Sequence, residues 1–140
     1  MVVKFSVTAI LVCLALPATA QGIIPYQDAE SVARGAVLYQ DNCAACHGEA
    51  LEGQENWQQR DEDGFLPAPP HDETGHTWHH GDGLLFDITK RGTAAVVGDG
   101  YQSNMPGFAE VLSDQEILDT LAFIKSTWSN RMIEIQNSRN

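Results

Sequence analysis

The chain is short of basic residues: 8 Lys and Arg stand against 19 Asp and Glu, for a formal charge of -11. So acidic a surface repels nucleic acid and anionic lipid, and neither is expected as a partner. Cysteine is scarce too. Cys13, Cys43 and Cys46 are all there are, which excludes a scaffold built on disulfides, since two closely spaced thiols make a poor staple. No phosphate-binding glycine loop, nucleophile triad or pair of catalytic acids is recognisable, so the chain is not expected to be an enzyme in itself. There is no internal repeat. Alternating strand patterns are missing apart from the brief Ala94 to Val97, which leaves helices to bury the core. A bilayer span needs roughly 20 apolar residues, and the run from Phe5 to Leu16 is too short to supply them.

That run fits another purpose. Met1 to Lys4 supply positive charge, Pro17 breaks the apolar stretch, and Ala18-Thr19-Ala20 forms a small-residue cleavage site. This is the order of a secretory signal peptide. Residues 1–20 are expected to be removed after Ala20, leaving residues 21–140 as one exported domain, periplasmic or equivalent and without stable membrane insertion. A retained anchor is the alternative; a lipid anchor through Cys13 is disfavoured by Val12 beside it. Cleavage removes Lys4 and no acid, taking the formal charge from -11 to -12, and leaves only Cys43 and Cys46. A domain of this size has a core small enough to benefit from a large apolar cofactor.

Helix signals recur along the remainder. Asp28 to about Asn42 carries Val32, Ala33, Ala36, Val37 and Tyr39 at spacings of three and four, as one buried stripe requires. Gly35 is costly inside it, by about 1 kcal/mol against alanine, and suggests a close backbone approach. Asp82 to Arg91 reads as a short helix with Asp82 as N-cap, Leu84, Leu85 and Ile88 inward, and Gly92 past its end. Ser113 and Glu116 form a capping box that opens a helix to about Asn130, with Ile117, Leu118, Leu121, Phe123, Ile124 and Trp128 as its apolar positions. Between them, Glu49 to His80 is a long irregular stretch. Such a loop is uncommon unless it wraps something, and Trp57, Phe65, Leu66 and Trp78 give it apolar contacts to make. The class is therefore all-α.

Cys43-Ala44-Ala45-Cys46-His47 carries the chemistry. Spacings of three and four place these side chains on one face of a helical turn. Two thiols can then add to the two vinyl groups of one haem while the imidazole reaches its iron; C-x-x-C-H is the haem c attachment signature. A thioredoxin-like site would need a βαβ context and a structural zinc site four ligands; neither pattern is present. For the sixth iron position the mature chain offers Met105 and Met132. Met132 is expected in a polar tail, whereas Met105 sits in Ser103-Asn104-Met105-Pro106-Gly107-Phe108, where Pro106 and the turn after it can aim a side chain.

Together these features resemble the class I monohaem c-type cytochromes over nearly all of residues 28–130. Gly35 and Tyr39 stand eight and four residues before Cys43, and the resemblance implies that they form the crossing of first and last helices, with Phe123 or its neighbours opposite. Met105-Pro106-x-Phe108 before a capped terminal helix resembles the family's distal-ligand loop. Further implications are a carbonyl at Pro67, Pro69 or Pro70 accepting a hydrogen bond from His47, and a haem propionate held by Trp78, Tyr101, Lys90 or Arg91 unless these have ordinary packing or surface roles. Gly75-His76-Thr77-Trp78-His79-His80 departs from the simplest pattern. His76, His79 and His80 could bind copper or zinc, replace Met105, or merely cap a helix, bond propionates or face solvent.

The expected protein is an all-α, class I cytochrome c domain with one haem c. Cys43 and Cys46 anchor the haem, His47 is the proximal iron ligand and Met105 the distal one. It would carry single electrons between a donor and an acceptor protein that dock through basic surfaces. The alternatives are an electron-accepting subunit of a periplasmic dehydrogenase or oxidase, and a haem protein responsive to metal at its histidine cluster.

Overall fold

The computed structural model describes residues 22–140; the expected signal peptide and its cleavage site lie outside them. The described residues form helices α1 (Ala29–Asn42), α2 (Ala44–His47), α3 (Asp82–Arg91), α4 (Thr93–Val97), α5 (Asp114–Ser126) and α6 (Asn130–Asn137), with a 3₁₀ turn at Thr77–His79. No strand occurs among the described residues, so the all-α expectation holds. Nor is any described helix long and apolar enough to cross a membrane.

Asp28 caps α1 by accepting the Glu30 N–H at 3.0 Å, as its place before the helix suggests. The buried line of α1 is Ser31, Gly35 and Tyr39, successive residues one turn apart. Ala33 and Val37, expected inward, face solvent instead. The reason lies opposite. A Cβ added at Gly35 would fall on the Asp119 carbonyl oxygen of α5 and stand 3.1 Å from the Phe123 Cβ, so the glycine face must turn towards α5. Asp119, 1 % exposed, secures the crossing. It accepts from Ser31 Oγ at 2.5 Å, Arg34 Nε at 2.7 Å and Gln115 Nε2 at 2.9 Å.

The Ser113–Glu116 capping box opens α5 as expected, and Ile117, Leu121, Ile124 and Trp128 are buried in the core. The helix ends at Ser126, however, and the chain turns through Trp128 into α6. Met132 lies on α6 and packs against the core, which corrects its placement in a polar tail.

Two further local expectations fail for identifiable reasons. Gly81, not Asp82, is the N-cap of α3, and Leu84 is exposed while Leu85 is buried. The Asp82 carboxylate is turned inward. It accepts the Ile24 N–H at 2.9 Å and bonds Lys125 Nζ at 3.2 Å and Gln136 Nε2 at 2.5 Å, so it binds the start of the described chain, α3, α5 and α6 together. Ala94 to Val97 is part of α4 rather than strand-like: Gly92, at φ 84°, lets the chain leave α3 and start a new helix at once.

Candidate functional site

The Cys43 N–H donates to the Tyr39 carbonyl at 2.8 Å, finishing α1, while the Cys43 carbonyl accepts from Cys46 at 3.1 Å and His47 at 2.9 Å, starting α2. A single helical turn thereby gathers Cys43, Cys46 and His47 on one side. Both thiols are free. Burial, and secondarily the neighbouring Cys46, push the Cys43 thiol up to about 11, so it is protonated at neutral pH. The Tyr39 hydroxyl donates to the Gly48 carbonyl at 2.8 Å and pins the turn that follows.

His47 is 6 % exposed, and its Nδ1 lies 2.8 Å from the Pro69 carbonyl oxygen. A carbonyl can only accept, so Nδ1 carries the proton and Nε2 keeps its lone pair for a metal. Burial holds the His47 imidazole below the usual histidine range, the Pro69 bond opposing it; the ring stays neutral, as ligation requires. Of the three prolines considered, Pro69 is the partner. The loop around it is ordered by its own bonds: Gly53 N–H to the His47 carbonyl at 2.7 Å, and Gln54 N–H to Ala68 at 2.8 Å. The His71 ring stacks on His47 with centroids 4.0 Å apart and planes 24° from parallel.

Met105 sits on a separate loop strapped to the end of α3. Phe108 N–H donates to Thr89 at 3.0 Å and Ala109 N–H to Lys90 at 3.1 Å. A Cβ on Gly107 would stand 2.6 Å from the Arg91 carbonyl carbon, so only glycine allows this approach. The Thr93 hydroxyl, on α4, donates to Met105 Sδ at 3.5 Å, and Ser103 Oγ accepts the Met105 N–H at 3.1 Å.

The histidine cluster does not converge. His76 stacks on Trp57, with centroids 5.1 Å apart, and meets His80 edge-on at 5.3 Å, while His79 lies against Trp78 at 3.7 Å. Among the described residues no group of three or more His, Cys, Asp or Glu side chains is arranged to hold a metal ion. Of the residues considered for a propionate, Trp78 Nε1 donates to Gly75 at 3.1 Å, Lys90 pairs with Asp114 at 2.7 Å and Arg91 donates to Ala95 at 3.3 Å. Tyr101 lies under the Arg60 guanidinium, 5.5 Å from the ring centroid.

Two free thiols beside a neutral imidazole that presents Nε2 suit a haem bound through both sulfurs, and a thioether is held on a separate loop. The cytochrome c family model matches residues 32–128. The chain belongs to the cytochrome c family. It is a class I c-type cytochrome, from a family that binds haem covalently and uses it to transfer electrons. It is also 28 % identical over 96 residues to the cbb3-type cytochrome c oxidase subunit FixP of Sinorhizobium medicae (strain WSM419), an alignment covering 69 % of this chain and 30 % of that protein. The chain thus matches less than a third of that relative's length. No solved structure matches it.

The matched segment of this cytochrome stops at Trp128, and α6 lies beyond it. Of the features expected from the sequence, the helix crossing at Gly35 and the bond from His47 to a proline-loop carbonyl are present. Sequence reading missed His71, Thr93 and Asp119, each of which acts through a partner distant in the chain.

Proposed function

We propose that the mature protein is a periplasmic electron carrier with a single haem c, attached through Cys43 and Cys46 and ligated by His47 and Met105. The observation that carries this reading is the Nδ1 contact of His47 with Pro69 at 2.8 Å on the turn that bears both thiols. It orients the imidazole and makes Nε2 a better donor. A bound haem supplies an iron that alternates between ferrous and ferric states. The chain does the rest. Cys43 and Cys46 hold the group in place, and a thioether opposite an imidazole favours the ferrous state and raises the potential. His47 and Met105 together would leave no open iron position for a substrate, which favours a carrier over an enzyme.

A second reading is the cytochrome subunit of an oxidase or dehydrogenase complex. The relative named as an oxidase subunit supports it. In either case the partners are redox proteins, and a formal charge of -12 after loss of residues 1–20 favours basic docking surfaces. Purification of the protein from its native host with its bound partners separates the two, since a carrier comes away alone and a subunit brings a catalytic chain.

The ligand assignment is tested by the weak far-red charge-transfer band of ferric iron bound to methionine sulfur. The band is expected in wild type and absent in Met105→Ala. Its survival in that variant, or its loss only when a histidine is replaced, would reject Met105.

A further inference from the structure

We propose that His71 is a positioning residue for His47: a flat wall that fixes the rotation of the proximal imidazole and, through it, the potential of the bound haem. The proposal rests on His47 being the proximal ligand. The bond to Pro69 fixes one edge of the His47 ring but leaves the ring free to rock about that bond. The His71 ring, 4.0 Å away and 24° from parallel, covers a face of His47 and removes this freedom. Ring orientation matters because it sets the overlap of the imidazole π system with the iron orbitals.

His71 is held far more firmly than a space-filling loop residue. Its N–H donates to the Leu51 carbonyl at 2.8 Å, its carbonyl accepts Trp128 Nε1 at 2.8 Å, and its Nδ1 lies 2.8 Å from Thr77 Oγ1. Tyr39 meets it edge-on, with centroids 6.4 Å apart. Leu51 is buried and has φ 68°, a left-handed backbone that a leucine adopts only under constraint. Its carbonyl accepts the Asp72 N–H as well, at 3.3 Å, so this residue ties down the loop that carries His71, and strain of this kind collects around functional sites. An apolar side chain would fill the same space without a buried polar ring to satisfy. Nor is His71 suited to be an axial ligand opposite His47, since its ring lies flat alongside that imidazole and its Nδ1 is engaged by Thr77.

The test uses the haem-loaded protein as wild type, His71→Ala, His71→Phe and Thr77→Val, with three readouts. These are the midpoint potential, the haem-methyl shifts of the ferric state by NMR, which report the orientation of the axial imidazole, and the denaturation midpoint. His71→Ala is expected to shift both the methyl pattern and the potential. His71→Phe, which keeps a flat ring, should restore the wild-type pattern even if stability stays low. Thr77→Val, which frees the His71 ring, should shift the pattern in the same sense as His71→Ala. If His71→Ala does not accumulate, the other two variants decide, and a wild-type pattern in Thr77→Val overturns the proposal. Lower stability with unchanged pattern and potential in His71→Ala also overturns it, leaving His71 a packing residue. A wild-type low-spin spectrum in His47→Gly would instead remove the ligand assignment, and the positioning role with it.

Discussion

Gly35 of α1 passes so close to Asp119 of α5 that a methyl group at position 35 would occupy the place of the Asp119 carbonyl oxygen. The two helices therefore meet backbone to backbone, and α5 offers main chain that cannot swing aside. Gly35→Leu must separate them. Overpacking a tight contact costs about 1–3 kcal/mol, and this variant is expected at or above the upper end. Chemical denaturation of the holoprotein should show an earlier midpoint, with Glu134→Ala, an exposed change on α6, close to wild type. Equal midpoints for the two would mean that the crossing is looser than described.

The carboxylate of Asp119 makes the same crossing sensitive to acid. Burial pushes this group up, but the hydrogen bonds from Arg34, Ser31 and Gln115 outweigh it and hold the carboxyl below its ordinary range. A depressed folded-state pKa adds stability above the unfolded value, about 3.9 for aspartate, and the gain disappears as pH falls through the lower folded value. Asp119→Asn should therefore cost about 1.5–3 kcal/mol at neutral pH, the range for hydrogen bonds to a charged group. The gap to wild type should close below about pH 4. Denaturation curves of both proteins between neutral and acid pH check this; a gap independent of pH would assign the loss to packing alone.

With Met105 as the proposed distal ligand, a hydroxyl donating to its Sδ would draw electron density from the sulfur and make it a poorer donor to ferric iron. Thr93→Val removes that bond at nearly constant volume, so the midpoint potential should fall. If the bond is worth about 0.5–1.5 kcal/mol and acts wholly on the redox equilibrium, the fall is about 20–65 mV for a one-electron couple. Spectroelectrochemical titration measures it. A rise in potential would show that Thr93 acts in another way.

How far the sequence could be read depends on the range of each interaction. The cysteines and His47 are neighbours in one turn, and Ser113 and Glu116 close a box within one turn, so both are visible in short stretches. Gly35 was visible because its cost inside a helix needs a reason, and the reason proved to be Asp119. Asp82 misled: an aspartate at a helix start usually caps, but here Lys125 and Gln136 draw it inward. Lys125 is 1 % exposed, and nothing local predicts a buried lysine on α5. Hydropathy and spacing point Val37 inward, yet it is exposed, because the close crossing turns the face with Gly35 towards α5. The contact of His71 with His47 depends on the fold of a loop with no periodicity, and no pattern in that stretch reveals it.

The central claim is that Cys43 and Cys46 are joined to a haem. The most direct measurement is the mass of the denatured mature protein, taken after acid–acetone extraction and treatment with a thiol-alkylating reagent. The mass should equal polypeptide plus one haem, with no alkyl group added at either cysteine. A haem that extracts cleanly and leaves both Cys43 and Cys46 alkylated would contradict the account.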